Sequence, residues 1–543
     1  MGAFFTEIKR YYILLLAVFL FFASIVLLAS ITTSSASAVG STPKQAISGD
    51  NIFYAYIKAG EIMSASFSKT DRTEPVGFPK QIVTVALDGP GLTQQKCEIA
   101  KEVAVGQGCA FTNVTAPQTG VYRISFTLPS DAPIYKEVSP TVRWGGNLFN
   151  WDISIRDGTS EKTGRLWSEL YAVRQQNNAA DAEDLTYYYM SEAGYLYKAV
   201  YKGFNGQIAT LSADAFGNRK NNECVSIYRS IEVTDTKNSP AFGTCQGSYK
   251  LFFDQPSGEL PTTAKTWDDS TEWISPKISR PVVKDLMFTS DDNGDTQSGD
   301  IEFVLDNFVG QYQIKIDTNG DDNFNAKEDI TIQKTIKELK SGIKQKVTFN
   351  GIDGDGRTIP ASRKIGIKIE IEKIAEIHLV NADVEGRTGG IELTRLSGDN
   401  APTTRMCWND TELTKADDQT LMTSKVDGRN CPDSSGGVHG WSFTVGSWGD
   451  QRFIDDWAYA SARIDGTNQI VYPQDIVMAT LNGGSNGAVI VAVLLGIVII
   501  AVVAIITLLL VRRHRRIILL REAERHQQTT TYPGPGDPQP PIQ

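Results

Sequence analysis

Tyr312-Gln313-Ile314-Lys315-Ile316-Asp317-Thr318-Asn319-Gly320-Asp321-Asp322-Asn323 runs on through Glu328 to Ile330-Thr331-Ile332. Its two ends are short β-type runs, and between them lies a turn of small oxygen-bearing side chains. Asp317, Asn319, Asp321, Asn323 and Glu328 occupy positions 1, 3, 5, 7 and 12 of an EF-hand-type calcium loop. Calcium takes six to eight hard oxygen ligands, and a twelfth-position Glu chelates with both of its oxygens. Asp322 stands where such loops usually have Gly, which adds strain and also charge. Just upstream, Asp291, Asn293, Asp295, Gln297 and Glu302 repeat the spacing, with Asp300 nearby. Because strands flank both segments, the expectation is calcium-type loops in an all-β protein, without EF-hand helix pairs. The bland alternative for each is a solvated Asp/Asn turn.

Working outward, the same texture continues. Ile52–Ile57, Ile62–Phe67, Ile82–Leu87, Val121–Leu128, Trp151–Ile155, Leu185–Met190, Tyr195–Tyr201, Ile227–Val233 and Ile301–Leu305 read as strands separated by turn residues. With 19 Tyr, 23 Phe, 47 Gly and 22 Pro, the composition suits β-sandwiches, and no long amphipathic helix pattern appears between the apolar ends. A chain of 543 residues exceeds the roughly 250 to 300 at which single cores stop growing. Tandem β-sandwich or Ig-like units are therefore expected at 39–144, 145–278 (Tyr-rich), 279–374 (with the calcium-type loops) and 375–480 (Trp-rich).

The two ends set the compartment. Lys9 and Arg10 precede an apolar run that closes on Ala36-Ser37-Ala38, a signal peptide over 1–38 with Ala36 and Ala38 at the cleavage site, or else a retained anchor. Residues 488–511 carry no charge and suffice, at 1.5 Å per residue, to cross a hydrocarbon layer about 30 Å thick as a transmembrane helix. Arg512, Arg513, Arg515 and Arg516 follow at once, so the positive-inside rule makes 512–543 a cytoplasmic tail and leaves the bulk of the chain outside the cell. The Pro-rich end of that tail is expected to be solvated.

Between residues 38 and 512 the chain carries 45 basic against 59 acidic residues. Such a field disfavours nucleic acid and suits cations and an extracellular milieu. The six cysteines form local pairs, Cys97 with Cys109, Cys224 with Cys245 and Cys407 with Cys431, and disulfides are their natural reading in an oxidising compartment.

Five short segments carry three resemblances. Tyr56-Ile57-Lys58-Ala59-Gly60-Glu61 and Ala116-Pro117-Gln118-Thr119-Gly120-Val121-Tyr122-Arg123-Ile124 resemble the bacterial pre-peptidase C-terminal type of jelly-roll module, which implies an accessory surface module without catalytic residues. Val347 through Gly356, followed by Ile359-Pro360, resembles the immunoglobulin-like module of the flagellar hook-capping protein, although Phe349 stands where that module usually has Trp. The stretches 389–396 and 448–457 look like the C-terminal parts of uncharacterised bacterial surface proteins.

No G-x-S-x-G, H-E-x-x-H or Gly-rich phosphate loop is present, so the expectation is a binding or adhesion protein and not an enzyme, with an extracellular protein or glycan as partner. A structural envelope scaffold is the alternative. A glycoside-acting hydrolase built on Asp455, Asp456 and His439 is a lesser one. Tyr187–Tyr189, Tyr195, Tyr197 and Tyr201 read either as a ligand platform or as core, and the same choice applies to Trp408, Trp441, Trp448 and Trp457.

Overall fold

In strand Leu148–Asp157 every second residue from Trp151 to Ile155 is apolar, and Trp151, Ile153 and Ile155 are all buried while their neighbours face outward. The same period of two recurs in Gly299–Asp306 and Gly310–Asp317, and it makes the protein all-β. In this computed structural model the described residues lie between 45 and 471, less several internal stretches of which 70–81, 414–427 and 442–451 are the longest. Among them the one helical element is a 3-10 turn at Gly428–Asn430, and no helix is long and apolar enough to cross a membrane. The expected 1–38 and 488–511 segments, with Ala36, Ala38 and Arg512, Arg513, Arg515 and Arg516, fall outside the described residues, as does Trp448.

Two sheets face each other around the main core. One orders Gln45–Ile47, Leu148–Asp157, Ile62–Lys69 and Gly108–Thr115. The other has nine strands, in the order Arg387–Arg395, Leu196–Phe204, Glu183–Met190, Lys250–Phe252, Leu166–Ser168, Ile52–Ile57, Gly120–Thr127, Val83–Gly89 and Leu92–Ile99. Aromatic rings bridge the gap: Phe53 and Trp151 lie 4.7 Å apart by centroid, and Phe67 meets Phe126 edge-on at 5.1 Å. Each such buried ring contributes about 2 kcal/mol or more by leaving water.

The nine-stranded sheet corrects the expected boundaries. It takes strands from 39–144, 145–278 and 375–480, and Leu166 pairs with Ala55 while Tyr201 pairs with Ile391. Strand Gly366–Ala382 is likewise shared: its first half pairs with Gly310–Asp317, and its second with Ala209–Asp214 and Arg452–Ile464. Sheet hydrogen bonding ignores sequence distance, so local turn signals could not reveal this sharing.

All three local cysteine pairs are disulfides. Cys97–Cys109 ties the last strand of the nine-stranded sheet to the edge of the facing one. Most expected strands are present, but Ile227–Val233 yields only Ile231–Glu232, because Tyr228 takes a left-handed backbone (φ 49).

Candidate functional site

The 317–328 segment joins strand Gly310–Asp317 to Ile330–Ile336. Asp317 is fully buried at the strand end, and its two carboxylate oxygens accept the backbone N–H groups of Gly320 (2.7 Å) and Asp322 (2.8 Å). Asp322 has φ 61, the left-handed conformation for which such loops usually supply Gly. Asn319 Nδ2 donates to Asp321 Oδ2 (3.2 Å) and Glu328 Oε1 (3.0 Å), so three expected ligands meet at one point. That hydrogen bond from Asn319 holds the Glu328 carboxyl below its usual range. Asn323 instead accepts the Asn325 N–H at 3.3 Å.

Sequence reasoning missed Asp329. Its oxygens accept the N–H groups of Thr318 (3.0 Å) and Ala326 (2.7 Å) and close the loop from within.

The upstream loop fares differently. Asn293 and Asp295 lie outside the described residues. Gln297 donates its amide to the Arg363 carbonyl (2.6 Å), and the Asp291 N–H bonds the Ser298 carbonyl (2.9 Å). Glu302 sits mid-strand and pairs with Lys344 at 2.8 Å, so it belongs to a sheet face and not to a loop. Among the described residues no group of three or more His, Cys, Asp or Glu is arranged to hold a metal.

Apart from Tyr188, which is half-buried against the smaller core on the other face of the sheet, the described residues of the aromatic platforms resolve into core. Tyr187, Tyr189, Tyr195, Tyr197, Tyr201, Trp408, Trp441 and Trp457 are all buried. Tyr189 and Tyr201 share a hydroxyl–hydroxyl bond of 2.9 Å, and the Tyr197 hydroxyl donates to the Ala375 carbonyl.

A cluster of charged side chains lies inside the protein, around strand Arg452–Ile464. Alternation along that strand turns Asp455 and Asp456 to opposite sides, and each fully buried carboxylate takes one histidine. His378 Nδ1 lies 2.8 Å from Asp455 Oδ1, and its Nε2 lies 3.5 Å from Glu376 Oε1. Asp455 also accepts the Asn218 N–H (3.0 Å), while Trp457 stacks on the His378 ring at 5.9 Å. On the other side, His439 Nδ1 bonds Asp456 Oδ1, its Nε2 lies 2.7 Å from Asp410 Oδ2, and its ring stacks on Trp408 at 4.9 Å. Arg387 completes this side, with Nη1 2.8 Å from Asp456 Oδ2.

Burial alone would drive both imidazoles toward neutrality, but the facing carboxylates win. His378 is raised to about 9 by Asp455 and Glu376, and His439 is raised by Asp410 and Asp456. Burial likewise pushes both aspartates up; Asp455 stays above its ordinary value, whereas Arg387 and His439 bring Asp456 below it. With a carboxylate oxygen facing each ring nitrogen, both rings act as imidazolium clamps between strands. The two carboxylates point to opposite faces of one strand and so cannot converge on one glycosidic bond, which removes the geometric basis of the hydrolase alternative.

Of this cluster, Asp455, Asp456 and His439 were singled out from sequence, while Glu376, His378, Asp410 and Arg387 were not. The signal was present in part: Glu376 and His378 alternate in an otherwise apolar Ile374–Leu379 run, which turns both to one face.

Comparison of the chain with protein-family models, with curated proteins and with solved structures finds no match.

Proposed function

We propose that this is a single-pass cell-surface protein whose β-rich body lies outside the cell and binds other extracellular macromolecules in an adhesion role. The observation that carries this reading is the closure of all six cysteines into three disulfides, a pattern of oxidising compartments. The uncharged 488–511 segment, followed by Arg512, Arg513, Arg515 and Arg516, supports an anchor with the C-terminus in the cytoplasm. The partner is an extracellular protein or glycan, met by an acidic outer surface and not by nucleic acid.

A structural scaffold is the second reading. It is favoured by the burial of the Tyr and Trp rings that a sugar platform would need on the surface.

Within either reading, the 317–328 loop holds a structural calcium ion. The fit rests on Asn319: its amide nitrogen, the positive end of a dipole, sits against both Asp321 and Glu328, where the carboxylates call for positive charge. Asp317, Asn319, Asp321, Asn323 and Glu328 would hold the ion, and the ion would supply charge neutralisation that stiffens the strand connection.

One experiment separates these ideas: residues 39–486, freed of metal, are melted with and without millimolar calcium and probed against extracellular protein and glycan arrays. Bound calcium at ten times its Kd adds about 1.4 kcal/mol, a rise in Tm of about one to two degrees in a body this large. Changing Asp321 and Glu328 to Ala should remove that calcium dependence. Identical melting curves with and without calcium would reduce the loop to an acidic turn, and array silence from a folded protein would favour the scaffold.

A further inference from the structure

Lys250 is the one lysine among the described residues that is fully buried, a rare state for this side chain. It sits on strand Lys250–Phe252, on the face of the nine-stranded sheet opposite the main core, beneath the hairpin of Thr263–Lys265 and Thr271–Trp273. Its Nζ lies 5.0 Å from the centroid of the Trp167 ring and 4.3 Å from that of Trp273, and it pairs with Glu272 Oε1 on the hairpin.

A second carboxyl lies near this pair. Trp167 opposes Phe252 and Ser168 opposes Leu251, where the ladder ends, and Glu169 follows at once, near enough to Lys250 and Glu272 for both charges to act on its carboxyl. Burial, with the charge of Glu272 adding to it and that of Lys250 opposing, keeps the Glu169 carboxyl above its usual range. One amine and two carboxyl groups are therefore gathered at one place, with the amine lying against the Trp167 and Trp273 rings.

We propose that Lys250 and Glu272 become joined by an intramolecular amide bond, formed by the protein itself with Glu169 as the assisting acid. Proton transfer within the pair gives the neutral amine and the neutral carboxyl. The Nζ lone pair attacks Cδ of Glu272, a C–N bond forms, and one C–O bond breaks. The departing hydroxyl takes a proton from Glu169, which regains one from the nitrogen, so one water is the sole by-product. The Glu272 side chain keeps a quarter of its surface exposed, which gives that water its exit. The product exchanges the ion pair for one neutral amide and staples the hairpin to the sheet.

The test is mass mapping of the full chain after reduction and trypsin digestion. The bond blocks cleavage after Lys250 and yields a branched peptide joining 238–265 to 266–277, lighter than the sum of its parts by one water. Lys250→Arg, which keeps a cation in the ring cage, should give only linear peptides. Glu169→Gln should lose most of the branched species while the protein retains its melting transition. Cleavage after Lys250 with both peptides at full mass in the unaltered protein overturns the bond. A full yield of branched peptide from Glu169→Gln overturns the role given to Glu169.

Discussion

Two single side chains, His378 and His439, each lie between two carboxylates inside the protein, and their chemistry sets how the protein answers pH. In an unfolded chain His378 titrates at its ordinary 6.5, whereas in the folded body it is raised to about 9. A group raised on folding contributes stability that is fully present below the unfolded value and is lost as pH rises through the folded one. The window of loss for His378 thus runs from 6.5 to about 9, and its size is on the order of 3 kcal/mol. His439 is raised in the same sense. On the acid side, Asp456, Asp410 and Glu376 are lowered, so their contribution is present above the ordinary carboxylate range and is lost as pH falls through their folded values. Urea midpoints should therefore fall between about pH 6 and about pH 9.5, and His378→Gln should be weaker throughout and show a flatter profile. A midpoint equal at both pH values, with m unchanged, would mean that the imidazoles are neutral and the clamps are not ionic.

At the scale of elements, the short connection after strand Ala209–Asp214 fixes the His378 clamp in place. Asp214 Oδ1 accepts the N–H groups of Phe216 (2.8 Å) and Gly217 (2.7 Å), and Gly217 has φ 59. A Cβ there would overlap both Asp455 Oδ2 and His378 Nδ1. Gly217→Ala combines a left-handed backbone penalty with displacement of a buried pair, so a loss of about 3 kcal/mol is expected in chemical denaturation. A loss below about 1 kcal/mol would show that the clamp tolerates displacement. Elements were also what the sequence displayed best. Ile52–Ile57 is present with the expected bounds, since an apolar run flanked by turn residues is a local property. The 317–328 loop was legible for the same reason, as spacing along the chain is its whole signal. What stayed hidden was pairing: Asp410 and His439 stand 29 positions apart, and His378 and Asp455 stand 77 apart, and no local pattern links them. Asp329 was hidden because the loop pattern assigns it no role, although it closes the loop from inside.

At the scale of the molecule, the sharing of strands decides how it folds. The expected 39–144 unit holds strands Ile52–Ile57, Ile62–Lys69, Val83–Gly89, Leu92–Ile99, Gly108–Thr115 and Gly120–Thr127, enough for two facing sheets. Yet Ile62–Lys69 pairs over eight residues with Leu148–Asp157, and Ile52–Ile57 pairs with Leu166–Ser168, both beyond the boundary. The ring cluster around Phe53 is likewise completed by Trp151, Tyr171 and Phe253. A fragment cut at 144 would expose two unpaired strand edges and lose three core rings at about 2 kcal/mol or more each, against a total domain stability of about 5 to 15 kcal/mol. It should therefore give poorly dispersed amide resonances and no cooperative melt, whereas residues 39–486 should melt in a transition that includes the 145–278 strands. If 39–144 alone unfolds cooperatively with dispersed resonances, the shared sheet is an accretion on an independent sandwich, and the tandem organisation expected from sequence regains its footing.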